Sequence, residues 1–545
     1  SSLLLIIKII IFIIFLSTYG FKTNKFNNLI KGKINTLDTK LSLDIKDVYL
    51  KLNFKEKSIN INTQNSKLYI NKELINISKI DLNLDVFKFI NKENSIKNIQ
   101  ISVSKSKIKD ITNFINEYKF SIPRAIIFNQ IEDGYIEAVL NIKFNENNQS
   151  ELNYDLKGKI SEAKLNILNH SIVRDINFDF NIEDKKYNIQ KATFKYQEIN
   201  FNSKEVLIKK LENNYEVKGY LSNKIGLIDH NYFKKISPYN LDFLENKKIL
   251  AETNNEFEFK IDSKRKIKNL NLISKINFEE IFINKKIQNL IFLKNGNINL
   301  DYKKDNLKID IQSGYSFIND NYKNNEKDRI KINIIKKKKE DFKVEATLNN
   351  KNNFINSIEF SNYLKNIDNI IKEQEIIFGS DNQINFSINS KNKIKNLSIK
   401  SIINLEKFII NYKSTSMKEI FPNYKNIIKT ENNLINIDFS ENKTNIVSKG
   451  NYSFENKYDK FDFEVTKNNK NINFLSSIEI SKNPMLLKDI EYQKNKDVFS
   501  EIKLKGQLLK DKKINFKYIN FYENENNISI SNLYLLNDYK IIDID

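Results

Sequence analysis

Apolar side chains alternate with polar ones along most of the chain. From Val48 to Phe54, every second residue is apolar, and the positions between carry Tyr, Lys and Asn. A period of two places neighbouring side chains on opposite sides of a strand, so each such run predicts a β-strand with one buried face. The turns between runs are rich in Asn, Lys and Asp, and Asn tolerates the φ > 0 positions that Gly usually fills. The pattern predicts a mostly β protein built as a repeated antiparallel meander.

The apolar positions of these runs form the candidate functional face of the sheet, here called the apolar set. We take them as inward-facing, because a sheet with one apolar side must hide that side. The apolar set comprises Leu41, Leu43, Ile45, Ile136, Leu140, Ile142, Phe144, Leu152, Leu156, Ile176, Phe178, Phe180, Ile298, Leu300, Leu307, Ile309, Ile311, Ile384, Phe386, Ile388, Ile435, Ile437, Phe439, Phe461 and Phe463.

Two segments are similar enough to indicate an internal repeat. Residues 263–284 and 390–411 lie 127 positions apart and are identical at 13 of 22 positions. Looser copies begin at Ser150 and Ser500. Similarity at a fixed spacing is typical of an array that grows by adding units. The predicted organisation is an anchor over 1–21, an N-terminal part over 22–149, repeats over 150–262, 263–389 and 390–499, and the start of a further, truncated repeat over 500–545.

The first 21 residues form an apolar run in which Lys8 is the single charge. About 18 apolar residues in an α-helix suffice to cross a hydrocarbon core about 30 Å thick. Lys8 is close enough to the start of the helix for its ammonium to reach the interface. The run therefore predicts an uncleaved transmembrane helix over 1–21. A cleaved signal peptide is the alternative, although residues 17–20 match its small-residue cleavage site poorly.

Helical spacing is confined to short segments between the alternating runs. The clearest case is 360–371, where apolar residues recur at the i, i+3, i+4 and i+7 positions of one helical face. Weaker cases lie at 108–118, 232–236 and 420–428. We predict that these helices cover a strand edge or cap the apolar face of the sheet. A helix lying on a membrane surface is the alternative.

The residue types that carry most enzyme chemistry are scarce. The chain has 545 residues, no Cys and only two His, His170 and His230, which are 60 positions apart. Without Cys there is neither a disulfide framework nor a thiolate zinc site. The sequence also lacks a phosphate-binding glycine loop, a nucleophile elbow and the common metal-ligand spacings. We therefore expect no catalytic site, no cofactor and no metal.

Lys and Arg outnumber Asp and Glu by 89 to 68, which gives a formal net charge of +21. Such a surface attracts anionic partners such as phospholipid headgroups or nucleic acid. However, the Lys residues are spread along the chain, and the one dense run, 336–339, is followed at once by Glu340 and Asp341. We interpret that run as a solvated turn between strands, and we expect no nucleic-acid partner.

A long sheet with one apolar face must hide that face behind a second sheet, by curling on itself, or with a ligand. A curled sheet forms a trough, and acyl chains fit its apolar floor because their headgroups stay in water at the mouth. Two alternatives stay open. One is a membrane-tethered scaffold or adhesin of closed β-sandwiches, which binds no lipid, and the other is an outer-membrane barrel, whose strands alternate in the same way.

Several features together resemble the AsmA-like (YhdP–TamB) family of bridge-like lipid-transfer proteins. They are the N-terminal apolar run, the long series of alternating strands, the segment 158–167 (GKISEAKLNI), and the spacing of Ile267, Leu270, Leu272 and Ile276. The resemblance implies a long, curled antiparallel sheet, a repeating β groove, that conducts phospholipid between inner and outer membranes. It also implies one inner-membrane span, a body in the periplasm, an outer-membrane or envelope protein as partner at the far end, and lipid contacts along the apolar set.

Overall fold

The protein, here a computed structural model, consists mainly of antiparallel strands joined by tight turns and a few short helices, which confirms the prediction of a mostly β fold. The structure describes residues 2–25, 27–37, 39–91, 96–118, 125, 128–144, 152–167, 171–229, 248–264, 266–283, 291–317, 328–356, 375–391, 393–468, 471–509, 513–536 and 541–544. Two compact units divide the chain. Unit 1 is Ser1–Ile228 with Leu250–Ser274, and unit 2 is Asp229–Ile249 with Lys275–Asp545.

Unit 1 begins with a helix and continues as a meander of strands that short helices interrupt. Its helices are α1 (Ser2–Thr18), α2 (Asn27–Leu37), α3 (Val86–Ile90) and α4 (Ile108–Tyr118). Its strands are β1 (Phe21–Thr23), β2 (Leu41–Asp44), β3 (Val48–Asn53), β4 (Ser58–Ile70), β5 (Glu73–Asp85), β6 (Ile96–Lys107), β7 (Ile131–Phe144), β8 (Leu152–Ile167), β9 (Ser171–Glu183), β10 (Lys186–Tyr196), β11 (Ile199–Lys210), β12 (Tyr215–Asp229), β13 (Lys248–Ile261) and the first half of β14 (Ile267–Ile283).

Unit 2 contains the rest of β14 and a longer meander with one short α-helix, α5 (Thr415–Ile420), and a 3₁₀ turn (Lys488–Ile490) in the part of the chain that is described. Its strands are β15 (Ile291–Lys303), β16 (Asn306–Phe317), β17 (Arg329–Lys336), β18 (Phe342–Asn356), β19 (Glu375–Ile388), β20 (Ile394–Asn411), β21 (Ile427–Ser440), β22 (Lys443–Ser453), β23 (Asp459–Asn468), β24 (Asn471–Glu479), β25 (Met485–Leu487), β26 (Tyr492–Lys494), β27 (Ser500–Leu508), β28 (Ile514–Glu523), β29 (Asn526–Leu535) and β30 (Ile541–Asp543).

The strands are connected as a simple meander. Most of them pair antiparallel with their neighbours in sequence, as β9 does with β10 and β16 with β17. Near the start of unit 1, β1 pairs with β3 and β2 pairs with β4. The short strands β25 and β26 form a separate hairpin, so β24 pairs directly with β27. Apart from this hairpin, the described strands belong to one 28-stranded antiparallel sheet.

Many strands contain a residue other than Gly with φ > 0 in their interior. These residues are Asn65, Glu162, Asp175, Lys191, Asn269, Asn295, Asn396, Asn432 and Asn532, with φ between 48° and 55°. Several of them coincide with a shift in strand register, for example at Asn295 and Asn432. Such a bulge bends the strand and moves the in-out alternation by one position. Asn is common there because it tolerates the left-handed region better than most residues.

The bulge in β21 shows what the shift does to the side chains. Thr430 and Asn433 lie three positions apart, yet both are buried on the same side of the strand. The Asn433 amide nitrogen donates to Thr430 Oγ1 at 3.0 Å, so one hydrogen bond joins the two polar side chains. In β4, Thr63 and Ser66 are joined in the same way around Asn65, with 2.8 Å between their hydroxyl oxygens. Each bend therefore retains a hydrogen bond between the polar side chains on either side of the bulge residue.

The two similar segments of the sequence fold alike. Asp262 and Asn389 each precede the turn into a long strand, and one side-chain oxygen of each accepts two backbone N–H groups. The donor–acceptor distances are 2.8 and 3.0 Å at Asp262, and 2.9 and 3.0 Å at Asn389. The strands that follow then have their φ > 0 residue at the same place in the repeat, Asn269 in β14 and Asn396 in β20.

Several strand glycines lie beneath a phenylalanine ring from an adjacent strand. A Cβ added to any of these glycines would overlap that ring. The pairs are Gly158 with Phe180, Gly219 with Phe257, Gly296 with Phe278 and Gly506 with Phe474. A glycine weakens a strand because it has no side chain to pack, and the neighbouring ring fills the space that this leaves.

We expect Gly296→Ala to lower the free energy of unfolding by about 1–3 kcal/mol, because an added methyl in a packed site forces its neighbours to move. All of the nearest atoms belong to the ring of Phe278, which is 4% exposed and has little room to shift. Phe278→Leu opens that space, so Gly296→Ala/Phe278→Leu should be more stable than the two single changes together predict. Urea unfolding followed by circular dichroism measures this coupling, and strictly additive effects would contradict the packing described here.

The N-terminal helix is shorter than the sequence predicts. Instead of continuing over 1–21, α1 ends at Thr18, where the N–H groups of Tyr19 and Gly20 both donate to the carbonyl of Phe15. Gly20 has φ +76°, a typical left-handed helix end. The chain then enters β1, which pairs with β3. Among the described residues, none of the helices combines the length and the apolar character needed to cross a membrane.

The short helices agree only in part with the helical spacing. The helix predicted at 108–118 is confirmed as α4, whereas 232–236 and 360–371 lie outside the described residues. The helix predicted at 420–428 is wrong: α5 ends at Ile420, and the chain is already extended at Phe421, with φ −115° and ψ 97°. The next residue is Pro422, which disfavours helical geometry in the residue before it.

Candidate functional site

The members of the apolar set in unit 2 lie on one face of the sheet. Residues directly opposite each other in an antiparallel pair have their side chains on the same face. The opposite pairs run from strand to strand as Leu300 with Ile309, Ile298 with Ile311, Ile311 with Ile332, Ile332 with Ala346, Ala346 with Ile384, Val344 with Phe386, Phe342 with Ile388, Ile384 with Ile399, Ile399 with Phe439, Ile437 with Ile446 and Ile446 with Val465. This face therefore contains Ile298, Leu300, Leu307, Ile309, Ile311, Ile384, Phe386, Ile388, Ile435, Ile437, Phe439, Phe461 and Phe463.

These side chains are not sealed in a core. All are half-buried except Phe463, which is 39% exposed. In a closed sandwich, the inward-facing side chains of two sheets interdigitate and lose their contact with solvent. Half-burial of successive strands from β15 to β23 instead leaves an apolar surface within reach of an apolar ligand.

The other face of the same strands is polar. Lys308 and Asp310 alternate with the apolar positions of β16 and form an ion pair at 2.9 Å. Lys449 of β22 lies directly opposite Asp462 of β23, at 2.7 Å, and this hydrogen bond raises the pKa of Lys449. Because these pairs are exposed, they contribute little stability. They keep this face in water.

The apolar set of unit 1 is partly covered by helices. Leu43, Ile45 and Ile176 are buried. Ile30 of α2 packs with Leu43 and Ile45, and Ile108 of α4 packs with Ile176. Leu41 and Leu43 lie opposite Ile70 and Leu68 of β4. The remaining positions are arranged across β7, β8 and β9 as Phe144 opposite Leu152, Leu140 opposite Leu156, Ile136 opposite Ile160, Ile160 opposite Phe178, Gly158 opposite Phe180, and Ile142 opposite Tyr154.

A pocket of about 430 Å³ opens on the apolar face of unit 2, and its lining is almost entirely apolar. Its floor comes from neighbouring strands, where Phe461, Ile478 and Ile502 lie side by side. Met417 of α5 and Phe421 form its roof. Two members of the apolar set, Phe461 and Phe463, line it. Its volume lies within the range of about 300–1,000 Å³ that is usual for small-molecule sites.

One end of the pocket is closed by aromatic rings. Phe454 lies at the centre of this aromatic wall, with its ring centroid 5.0 Å from that of Phe421, 5.3 Å from Tyr424 and 5.5 Å from Tyr452. The hydroxyl of Tyr452 donates to the carbonyl of Glu479 at 2.6 Å. The contacts of Phe454 with Tyr424 and Tyr452 are edge-to-face, which is a favourable packing arrangement for aromatic rings. The wall is therefore a fixed boundary.

The roof is a short loop tied at both ends. The N–H of Tyr412 donates to the carbonyl of Asn426 at 3.0 Å, and the Tyr424 hydroxyl donates to the carbonyl of Tyr412. Ser414 caps α5, because its hydroxyl oxygen accepts the N–H of Met417 at 3.2 Å. The loop over 412–426 therefore holds Met417 and Phe421 above the strands.

A second insertion, between β24 and β27, supports the wall from behind. Met485 of the β25–β26 hairpin packs with the aromatic rings. Lys494 is fully buried, and its ammonium donates to the carbonyls of Ser481 at 3.3 Å, Asn483 at 2.6 Å and Asn495 at 3.0 Å. Burial lowers the pKa of Lys494. The three hydrogen bonds hold the hairpin in place.

A buried aspartate joins this insertion to the sheet. Asp459, 1% exposed, accepts the N–H of Lys482 at 3.0 Å and the side-chain amide of Asn483 at 2.8 Å. Burial raises the pKa of Asp459, and burial together with the nearby Asp459 raises the pKa of Tyr452. Asp459, Lys482 and Asn483 support the wall from behind and are not among the residues that line the pocket.

Sequence reasoning missed the wall and its supports, but a signal was present. The tripeptide Tyr-Ser-Phe occurs at 315–317 and again at 452–454. In both copies the tyrosine is buried, and a buried aspartate follows, Asp328 or Asp459. Asp328 accepts the N–H of Lys351 at 2.9 Å, as Asp459 accepts that of Lys482. A repeated tyrosine at the end of an alternating run thus marks a position that is buried in both copies.

Among the described residues, no cluster of three or more His, Asp or Glu side chains could hold a metal ion. His170 and His230 both lie outside the described residues. The expectation that the protein is not an enzyme stays a prediction.

Comparison of the chain with protein-family models, with curated proteins and with solved structures found no match.

Proposed function

We propose that the protein binds phospholipid along the apolar faces of its sheet and conducts it between inner and outer membranes, as an AsmA-like bridge protein would. In this proposal the sheet curls into a trough, the acyl chains contact the apolar set, and the headgroups stay in water. Lipid moves passively, because successive Ile, Leu and Phe rows offer similar contacts at each step.

The observation that carries the proposal is the half-buried apolar face of unit 2, which continues from β15 to β23. Apolar surface of this extent is costly in water unless a ligand or partner covers it. The φ > 0 residues favour a trough over a flat sheet, since bulges bend strands and increase their twist. The polar character of the opposite face supports the proposal that the sheet is surrounded by water on that side.

The location that goes with this function is the periplasm, with attachment to the inner membrane through α1. Apolar side chains of α1 point outward, and Ile11 and Phe12 are 60% and 55% exposed. Near its end, Leu16 lines a small apolar cavity of about 140 Å³ together with residues of β3, β4 and β5. This contact would bring membrane lipid close to the beginning of the apolar face. A second envelope protein would receive lipid at the other end.

Native mass spectrometry of the full chain, with analysis of the extracted lipid, tests the proposal. We expect several phospholipids per chain to remain bound through purification in mild detergent. These bound lipids should also exchange with lipid from vesicles. A protein that carries no lipid, and takes up none from vesicles, would overturn the proposal and favour a structural scaffold whose apolar faces meet another protein.

A further inference from the structure

The pocket in unit 2 differs from the rest of the apolar face because it has an end. Elsewhere on this face, one apolar row is followed by another on the next strand. Here the aromatic wall and the roof loop close one side, and the remaining side continues along the face through Phe463. A ligand that enters from the face must therefore stop at the wall.

The lining excludes a charged or strongly polar group. No Asp, Glu, Lys or Arg lines the pocket, and its polar members are Thr430, Ser448, Ser476 and the tethered hydroxyl of Tyr452. Thr430 already donates to the carbonyl of Phe408 at 3.2 Å. Water in such a cavity lacks the two to four polar partners that hold buried water, whereas apolar cavities take apolar ligands. The closed end therefore suits the methyl end of a hydrocarbon chain.

An apolar strip runs along β23 from the pocket, and its other end is a lysine. In β23, side chains at 461, 463, 465 and 467 share one face, and the last of them is Lys467. The strands paired on either side contribute Thr444, Ile446, Ser448 and Gly450 from β22, and Ile472, Phe474, Ser476 and Ile478 from β24. Lys467 is thus the first charge on this strip beyond the pocket, and it is exposed.

The spacing fits one extended acyl chain. Six residues of strand separate Phe461 in the pocket from Lys467, which corresponds to about 20 Å at 3.3 Å per residue. In the described part of the chain, the Lys467 ammonium lacks a carboxylate partner, so it is available to an anionic group. An apolar strip with a wall at one end and a cation at the other has the polarity of a fatty acid or of one tail of a phospholipid.

We propose that unit 2 contains a fixed site for a single acyl chain of an anionic lipid, with the methyl end against the aromatic wall and the carboxylate or phosphate at Lys467. The inference rests on the proposed lipid-binding function and adds to it a place where lipid is retained and not merely passed along. The roof loop and the β25–β26 hairpin are the parts of the fold that make retention possible.

Photo-crosslinking with the full chain tests the site without any substitution. One probe is palmitate with a diazirine at its methyl end, and the other is phosphatidylglycerol with the diazirine at the end of one tail. We expect label at Met417, Phe421 and Phe454, found by peptide mass spectrometry. Labelling by palmitate alone assigns the site to free fatty acid, and labelling by the second probe assigns it to phospholipid. Label spread evenly over the face, with lipid still bound, would overturn the fixed site but not the lipid-binding function.

Two substitutions add independent measurements. Ser448→Phe fills the pocket from its half-buried lining, and we expect wall labelling to fall at least tenfold. Ser529→Phe is the matched control, because Ser529 is exposed and its side chain lies on the polar face of the sheet. The adjacent residue in β29, Ile530, is on the apolar face. Lys467→Glu should weaken palmitate binding about tenfold and leave hexadecanol, which is uncharged, unaffected. Equal loss of both ligands would overturn the assignment of the headgroup to Lys467, and binding of neither ligand by the unsubstituted protein would overturn the proposed function as well.

Discussion

We expect the double variant Ile309→Asp/Ile311→Asp to lose lipid transfer while remaining folded. Ile309 lies opposite Leu300 and Ile334, and Ile311 lies opposite Ile298 and Ile332, so both are in the middle of the apolar face. Ionised carboxylates keep their water and cannot be placed against hydrocarbon without a large cost. Transfer of fluorescent phospholipid between vesicles should fall to the rate without protein, and the number of lipids per chain in native mass spectra should decrease.

The matched control adds the same two charges to the other face. Gln312 and Gln383 are exposed and adjacent to apolar positions of β16 and β19, so their side chains point away from the apolar face. Gln312→Asp/Gln383→Asp should therefore transfer lipid like the unsubstituted protein. If the Ile309→Asp/Ile311→Asp protein also transfers lipid normally, the apolar face of unit 2 is not the lipid path.

The second large effect is expected at Lys494. We expect Lys494→Met to lower the free energy of unfolding by about 2–4 kcal/mol, because each buried group left without its hydrogen bond costs about 1–3 kcal/mol, and the methionine gives back part of this by packing. Ser481, Asn483 and Asn495 would each lose the donor to their carbonyl. Urea unfolding measures the loss, and hydrogen exchange should rise first over residues 481–499.

Lys496 provides the control for this change. It lies two residues away, is exposed, and forms an ion pair with Glu455 at 3.2 Å. Exposed pairs contribute about 0–1 kcal/mol, so Lys496→Met should leave both the unfolding transition and hydrogen exchange nearly unchanged. Equal effects of the two substitutions would mean that the buried ammonium does not hold the β25–β26 hairpin.

The strands and the apolar face of the sheet could be predicted from the sequence because both depend on the local pattern of apolar and polar residues. Ile309 and Ile311 belong to a run in which every second residue is apolar, and residues spaced by two lie on the same face of a strand. Antiparallel pairing then brings the alternating positions of successive strands together, as it does for Ile311 and Ile332. The repeated segment at 263–284 and 390–411 likewise folds into the same turn, since Asp262 and Asn389 can make the same local hydrogen bonds.

The length of the strands could not be predicted in the same way. In β21 the apolar phase changes at Asn432, so the sequence shows an alternating run only from Ile435 onward, whereas the strand begins at Ile427. The same residue types occupy bulge positions and turn positions, so a sequence pattern alone does not distinguish a bulge from a turn. Alternation in the sequence therefore predicts only the part of such a strand that follows the bulge.

The pocket could not be predicted because its parts are distant in sequence. Met417, Phe454 and Ile502 belong to three separate segments, and their contact depends on the meander and on two insertions. Helical spacing at 420–428 predicts a helix beside the pocket. The prediction is wrong because Pro422 disfavours helical geometry at Phe421, and α5 ends at Ile420. In the same way, Gly20 and the pairing of β1 with β3 end α1 earlier than its hydropathy suggests.

The meander also has a consequence for how such a chain acquires its structure. Since most strands pair with the strands immediately before and after them, few contacts require distant parts of the chain to meet. Chains dominated by contacts between near neighbours in sequence fold faster than those that must first close long loops. Strand by strand, such a protein can fold in the order in which it emerges from a ribosome or a translocation channel, and each new hairpin adds to a template already formed.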